Sequence, residues 1–558
     1  MRGWTVTMGC VGALACGTGN ETGGGRRAAT SVQKSAEAFS IARVDKVDLL
    51  FVIDNSNSMA GEQAQLRAQF PRLMEALTTG LRAPDDTRPF TPVRDLHVGV
   101  VSTDMGIAGV ELPPSCHADG GDDGRLETQP RGDRDCAAQY PSFLMYEAGT
   151  SSASDLARDF ACVAQLGTGG CGFEQQLEAP LKALMPRYIY NEEGDAIAES
   201  ATRFIATSFD ATWGRGDLPI AEGGNLGFLR NDPEDPSLLA IVLLTDEEDC
   251  SVKDTKHLRP NNQLEEGDPL RSEDINLRCF LHKEFTYDVR DRYLKAFRSL
   301  RPGREDLVVF SAIAGVPADL VDSDVIGKTD FTDKSSREAF YDTIMNDPRM
   351  QEQVDPSTMP GTGQGNLTPS CVRPPPPGEE QPSTAYPPRR IVELARAFGP
   401  TGMVQSICQE DFGPAIDMLV YSMAKSLSEM CMPQRLSRND QDLVSCKLFW
   451  ELPTADDVES QGLPDETPTE CSQLKGLLDD DVEAQDGENR GQRCAIEQLA
   501  VTDGAVADGG KGWYYDDFSS NLDAICAEGL QRIAFSEDAH PPRGVSVKLE
   551  CEAGSQQQ

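Results

Sequence analysis

Histidine is almost missing from this chain. It occurs five times in 558 residues, each time without a companion at ligand spacing, and none of the 16 cysteines forms a C-x-x-C pair. Both absences argue against a zinc centre. No G-x-S-x-G elbow is present, and the S-x-x-K string at Ser422 to Lys425 lies well inside a helical pattern with no K-T-G partner, so serine-hydrolase and penicillin-recognising chemistry have no foothold. Basic residues are also scarce, 51 against 91 acidic ones, which gives a formal charge of −40. With no basic stripe to offset that field, a phosphate backbone is repelled and nucleic-acid binding is excluded. No apolar run is long enough to cross a bilayer. What is present suits a folded, multi-domain chain. Hydrophobic residues make up 39% and charged residues 25%, and the length corresponds to roughly two to four domains. An acidic surface of this kind attracts metal cations and cationic or cation-bridged protein partners.

The first 16 residues read as an export signal. Arg2 precedes an apolar, small-residue run over 4–15, the length of a secretory core segment. Ala13-Leu14-Ala15-Cys16 resembles a bacterial lipobox, which implies lipidation at Cys16. Gly17 stands where an inner-membrane retention signal would place Asp, so the resemblance points to an outer-membrane lipoprotein of a Gram-negative-type bacterium, with plain secretion as the alternative. Setting Cys10 and Cys16 aside leaves 16 minus 2, or 14 cysteines, enough for seven disulfides in an oxidising compartment. Sequence neighbours give the expected pairs Cys162 with Cys171, Cys431 with Cys446, and Cys526 with Cys551, although spacing alone does not fix connectivity.

Residues 17–44 are rich in Gly, Thr, Ser and Ala and read as a flexible tether. From 45 to 427 the pattern is strand, loop, helix, repeated. Nearly continuous apolar runs at 47–53, 96–102, 238–244, 307–313 and 403–407 suit strands buried on both faces of a parallel sheet. Helical periodicity follows the first strand through Leu66, Phe70, Leu73, Met74 and Leu77, and recurs at 155–165, 173–184, 287–300 and 412–427. The expected fold is therefore α/β, a doubly wound, mostly parallel sheet with long disulfide-stapled insertions. After 428 the texture changes to short alternating segments between acidic or Gly-rich turns, which predicts a small Cys-containing β-rich domain over 428–558. Trp513-Tyr514-Tyr515 is expected in its core.

The first strand ends in Asp54-Asn55-Ser56-Asn57-Ser58, a D-x-S-x-S loop leading into a helix. Alternate residues of a tight loop can turn one carboxylate and two hydroxyls toward a common point, and an all-oxygen donor set suits Mg²⁺ or Mn²⁺. Taken alone, the string would equally describe a helix N-cap with spare serines. The third strand, however, ends in Thr245-Asp246-Glu247-Glu248-Asp249, which sets a second acid at the same edge of the sheet, where open α/β sheets hold their ligands.

These elements resemble the von Willebrand factor A family and its metal-ion-dependent adhesion site, over about 45–427. The resemblance implies that Asp54, Ser56 and Ser58 approach a divalent cation, Mg²⁺ first with Mn²⁺ or Ca²⁺ as alternatives, and that Asp246 acts directly or through water. The family adds a threonine from an intervening loop. The segment 166–174 lies in that place, with Thr168 as the candidate and Glu174 as the second choice. Hydroxyl ligands leave such an ion with residual charge and an exchangeable position that a partner protein's Asp or Glu can complete. The expected function is thus non-enzymatic, metal-dependent protein binding or adhesion on an exported, lipid-anchored chain. A metal-assisted hydrolase using Asp249 or Glu247, or a structural envelope protein with a vestigial loop, are the alternatives.

Overall fold

The computed structural model describes the chain from Phe39 to Cys551 apart from interruptions, the longest being 82–89, 109–115, 206–211, 359–364, 375–381, 459–466 and 520–530. The expected export signal and the expected lipidation at Cys16 therefore lie outside the described residues. In chain order the principal elements are β1 (Phe39–Ala42), β2 (Lys46–Ile53), α1 (Ala60–Thr79), β3 (Asp95–Ser102), β4 (Leu144–Glu147), α2 (Ala153–Val163), α3 (Glu178–Leu184), β5 (Leu238–Leu244), β6 (Val308–Ala314), α4 (Lys334–Asn346), α5 (Arg389–Phe398), β7 (Gly402–Ser406), α6 (Gly413–Ser428), β8 (Cys446–Glu451), β9 (Gln492–Ile496) and β10 (Ser546–Cys551).

Six strands form one sheet in the order β7-β6-β5-β2-β3-β4. All neighbours are parallel except the β3/β4 pair at the edge. Because successive side chains of a strand point to opposite faces, β2 feeds two cores. Leu49, Phe51 and Ile53 pack with α1, α2 and α6, while Leu50 and Val52 pack with α3, α4 and α5. Every residue of β5 and β6 is buried, which explains their unbroken apolar sequence. The mostly parallel α/β architecture is as expected. The chain leaves β2 toward β3 on one side and later returns to β5 on the other, so the strand order reverses between β2 and β5, and the crevice at their carboxyl ends is the place where such sheets hold ligands.

One buried ion cluster ties the opposite end of this sheet. Asp48 on β2 is fully buried and accepts from Arg301 Nη2 at 3.0 Å, Arg230 Nε at 2.7 Å and Ser237 Oγ at 2.6 Å. His97 on β3 sits beside it, with its ring nitrogen 2.9 Å from the Phe228 carbonyl, so this histidine is packed into the structure.

A second, five-stranded antiparallel sheet runs β1-β10-β8-β9 and ends with the short strand Gln485–Asp486. Its core gathers Leu448, Trp450, Val547, Leu549, Trp513 and Tyr515. Trp513 donates its indole N–H to the Ile496 carbonyl at 2.9 Å, and the Tyr515 hydroxyl accepts from the Leu436 N–H at 2.9 Å, so both polar ends are satisfied inside the core. The expected tether 17–44 is corrected at its end. Phe39–Ala42 pairs with β10 and becomes the edge strand of the C-terminal sheet, because its short Phe-Ser-Ile-Ala alternation can complete a ladder that local periodicity alone did not reveal.

The disulfides also differ from the expected pairs. Among the described residues the bonds are Cys116–Cys171, Cys136–Cys162, Cys250–Cys279, Cys371–Cys408, Cys446–Cys551 and Cys471–Cys494. Cys162 and Cys171 each bond into the 105–146 loop, not to each other, and Cys446 bonds Cys551 because β8 and β10 bring the two into register. No helix among the described residues is long and apolar enough to cross a membrane.

Candidate metal centre

The backbone brings the carboxyl ends of four neighbouring strands, β3, β2, β5 and β6, level. Asp54 N–H donates to Leu244 O at 2.9 Å, Thr103 N–H to Ile53 O at 3.3 Å, and Thr245 N–H to Ile313 O at 3.2 Å. Asp54 and Asp246 therefore stand on the two strands that flank the reversal of strand order.

The D-x-S-x-S loop folds back on its own carboxylate. Asp54 Oδ1 accepts the Ser56 N–H at 2.8 Å, and the Ser56 and Ser58 hydroxyls lie 3.4 Å apart. Asp54 Oδ2 accepts the Thr245 hydroxyl at 2.7 Å, and Thr245 Oγ1 in turn accepts from Gln176 Nε2 at 3.1 Å and the Glu247 N–H at 3.2 Å. From α1, Gln63 donates one amide to Asp54 O at 2.9 Å and to Gly167 O at 3.0 Å, which joins the D-x-S-x-S loop to the Gly-rich loop. The Ser58 hydroxyl lies against the Asp246 carboxylate, whose Oδ1 is buried with no hydrogen-bond partner.

Burial dominates the electrostatics. Asp54 is fully buried, and desolvation holds its pKa above the ordinary value against the hydrogen bonds from Thr245 and Ser56. Asp246 is pushed up to about 8, first by burial and then by the Asp54 charge. Glu174 and Glu247 are raised well above the usual carboxylate range, again by burial first. Asp54 is the next cause for Glu174, and Asp246 for Glu247. Glu62 on α1 adds to the repulsion, though its own Oε1 is bonded by Arg373 Nη2 at 2.6 Å. Five acids thus influence one another, and Arg373 on Glu62 is the basic partner found for them among the described residues. Uncompensated buried charges of this kind cost several kcal/mol each, roughly, and are relieved by protonation or by a cation.

The residues fit a hard divalent ion in a particular way. Among the described residues no three His, Cys, Asp or Glu side chains are gathered closely enough to hold one. An ion at this place would draw on two carboxylates, Asp54 and Asp246, with the hydroxyls of Ser56 and Ser58. The orphaned Asp246 Oδ1 and the oxygen-only donors suit Mg²⁺ or Mn²⁺.

Thr168 and Glu174 part company. Thr168 is half-buried in the Gly-rich loop, and among the described residues its side chain makes no hydrogen bond to Asp54 or Asp246. Glu174 is buried, only 6% exposed, and senses both aspartates. The loop itself is well anchored. Gly170 N–H donates to Asn55 O at 2.9 Å, and Cys171 is bonded to Cys116. Sequence reasoning missed Gln63 and Glu62. Both lie on the first turn of α1 and are buried despite their polarity, which a helical periodicity read from apolar residues does not register. Asp249 is taken up structurally, accepting from the Leu177 N–H at 3.0 Å, from Ser251 Oγ and from Arg390 Nε at 3.0 Å.

Compared with models of known protein families the chain matches none, and a search of curated proteins likewise returns no match.

Proposed function

We propose that residues 45–427 form a von Willebrand factor A-like module that holds a divalent cation, Mg²⁺ by preference, through Asp54, Ser56, Ser58 and Asp246. The same site binds a partner protein through a carboxylate that completes the ion's shell. The observation that carries this reading is the pairing of Asp54 and Asp246 across the reversal of strand order, with Asp246 Oδ1 buried and unbonded. Two carboxylates balance the charge of a divalent ion and the neutral hydroxyls add none, so what a partner's carboxylate would fill is an open coordination position, and the surrounding acids discourage acidic partners that do not reach it. The module is a binding device without catalysis, carried on an exported chain that the Cys16 lipobox anchors to the outer membrane. The disulfides among the described residues support an oxidising compartment. Isothermal titration of Mn²⁺ and Mg²⁺ tests the reading. One site per chain is expected, lost in Asp54→Ala and weakened in Ser58→Ala. Unchanged metal binding in Asp54→Ala would overturn it.

A further inference from the structure

Beside the metal centre lies a cavity of about 230 Å³. Its acidic wall consists of Glu174, Glu247, Glu248 and Glu352, and its remaining surface includes the rings of Phe173, Phe280 and Tyr386 and the cystine Cys250–Cys279. Two of the four glutamates already have partners. Glu352 is ion-paired with Lys283, and Glu248 accepts the backbone N–H groups of Arg390 at 3.1 Å and Asp249 at 2.9 Å. Glu174 and Glu247 have no basic neighbour among the described residues, and Glu174 is more than nine-tenths buried while lining the cavity. The charges that reach these two side chains are other acids.

We infer that this cavity is a binding site for an organic cation, a primary ammonium or guanidinium group, seated between Glu174 and Glu247 and against the faces of Phe280 and Tyr386. The walls decide between this ligand and a bare metal ion. A hard divalent ion seeks oxygen on all sides, whereas this cavity combines two carboxylates with aromatic and apolar surface, the pairing that favours a cation carried on a hydrocarbon stem. Size agrees. Pockets for drug-sized ligands run about 300–1,000 Å³, and the smaller volume here fits one lysine or arginine side chain or a small free amine. The Cys250–Cys279 bond fixes the insertion that supplies Phe280, so the aromatic wall is held in place before any ligand arrives.

The test is calorimetric titration of the full chain in EDTA, which separates this site from the metal centre. The probes are Nα-acetyl-lysine methylamide, Nα-acetyl-arginine methylamide, n-butylamine and the neutral Nα-acetyl-norleucine methylamide. The cationic probes are expected to bind, with the norleucine amide at least tenfold weaker. Glu174→Gln and Phe280→Ala should each weaken the cationic probes at least tenfold, and Phe280→Ala should keep its Mn²⁺ affinity, which reports an intact fold. Tighter binding of the amino-acid amides than of butylamine assigns the site to a polypeptide side chain, and the reverse order to a free amine. Equal binding of the norleucine amide would overturn the inference. So would unchanged affinity in both variants, or the finding that the cavity takes Mg²⁺ or Ca²⁺ through Glu174 while refusing every amine.

Discussion

Thr245 donates its hydroxyl proton to Asp54 Oδ2 across 2.7 Å, joining the ends of two parallel strands that are far apart in sequence and adjacent in space. The bond fixes which lone pairs of Asp54 face the crevice, because the same hydroxyl is held from behind by Gln176. Groups that orient a metal ligand are typically worth about 10–100-fold in metal affinity. Thr245→Val keeps the shape of the residue and removes the donor. It should weaken Mn²⁺ binding by roughly that factor while the folded structure, followed by circular dichroism, persists.

The pKa of Asp246, raised to about 8 by burial and by Asp54, sets the direction of two pH effects. Without metal, the folded state holds the Asp246 proton more tightly than the unfolded chain does. Its contribution is therefore fully present below the unfolded pKa near 3.8 and is lost as pH rises toward 8. Metal must displace that proton, so affinity should climb between pH 6 and 8, by at most about tenfold per unit for one proton released. Calorimetry in two buffers of different ionisation enthalpy would measure the proton release. In Asp246→Asn the Asp246 share of that release should vanish.

The sheet was legible because its strands are buried on both faces and so are written as unbroken apolar runs. Residues 238–244 match β5 in full, and 47–53 falls one residue short of β2. Elements that pack on one side only were harder. The edge strand β4 alternates buried and exposed over four residues, and α5 follows directly on the stretch 356–388, whose Pro and Gly residues interrupt any helical pattern leading into it. In the site, Asp54 and Asp246 were visible as acids ending apolar strands. Thr168 stands out in the sequence by its hydroxyl and its place in a loop, and the buried acid that senses both aspartates is Glu174, set by how the loop from Gly170 to Glu174 folds over Asn55. The disulfides were illegible for the same reason. Cys116 meets Cys171 through that fold, across 55 residues.

Gly170 is the contact on which that loop depends. A Cβ built there would lie 2.1 Å from Asn55 Oδ1 and 2.4 Å from its Cγ, inside any tolerable approach. Gly170→Ala must therefore displace either the Gly-rich loop or Asn55, the residue next to Asp54. Overpacking of this kind costs about 1–3 kcal/mol. Because the displacement reaches the D-x-S-x-S loop, chemical denaturation should show that loss and titration should show weaker Mn²⁺ binding. Gly169→Ala, where nothing lies within 4 Å of the added carbon, should change neither.

Removing a charge from the acid cluster should act in opposite directions with and without metal. Asp54 is fully buried and its pKa is raised by burial, so in the metal-free protein the charged form carries a desolvation cost that Asn does not. Asp54→Asn keeps the acceptor for Thr245 and gives up the one for the Ser56 N–H, but burial outweighs both hydrogen bonds at Asp54, so the metal-free variant should be as stable as the parent or more so at pH 8. Saturating metal should stabilise the parent by about 2.7 kcal/mol at a hundred times its dissociation constant, and the variant by little or nothing. Denaturation curves of both proteins in EDTA and in excess Mn²⁺ would then cross, with the variant ahead in the first condition and the parent in the second. A variant that loses stability equally in both would mean that Asp54 serves the fold and not an ion.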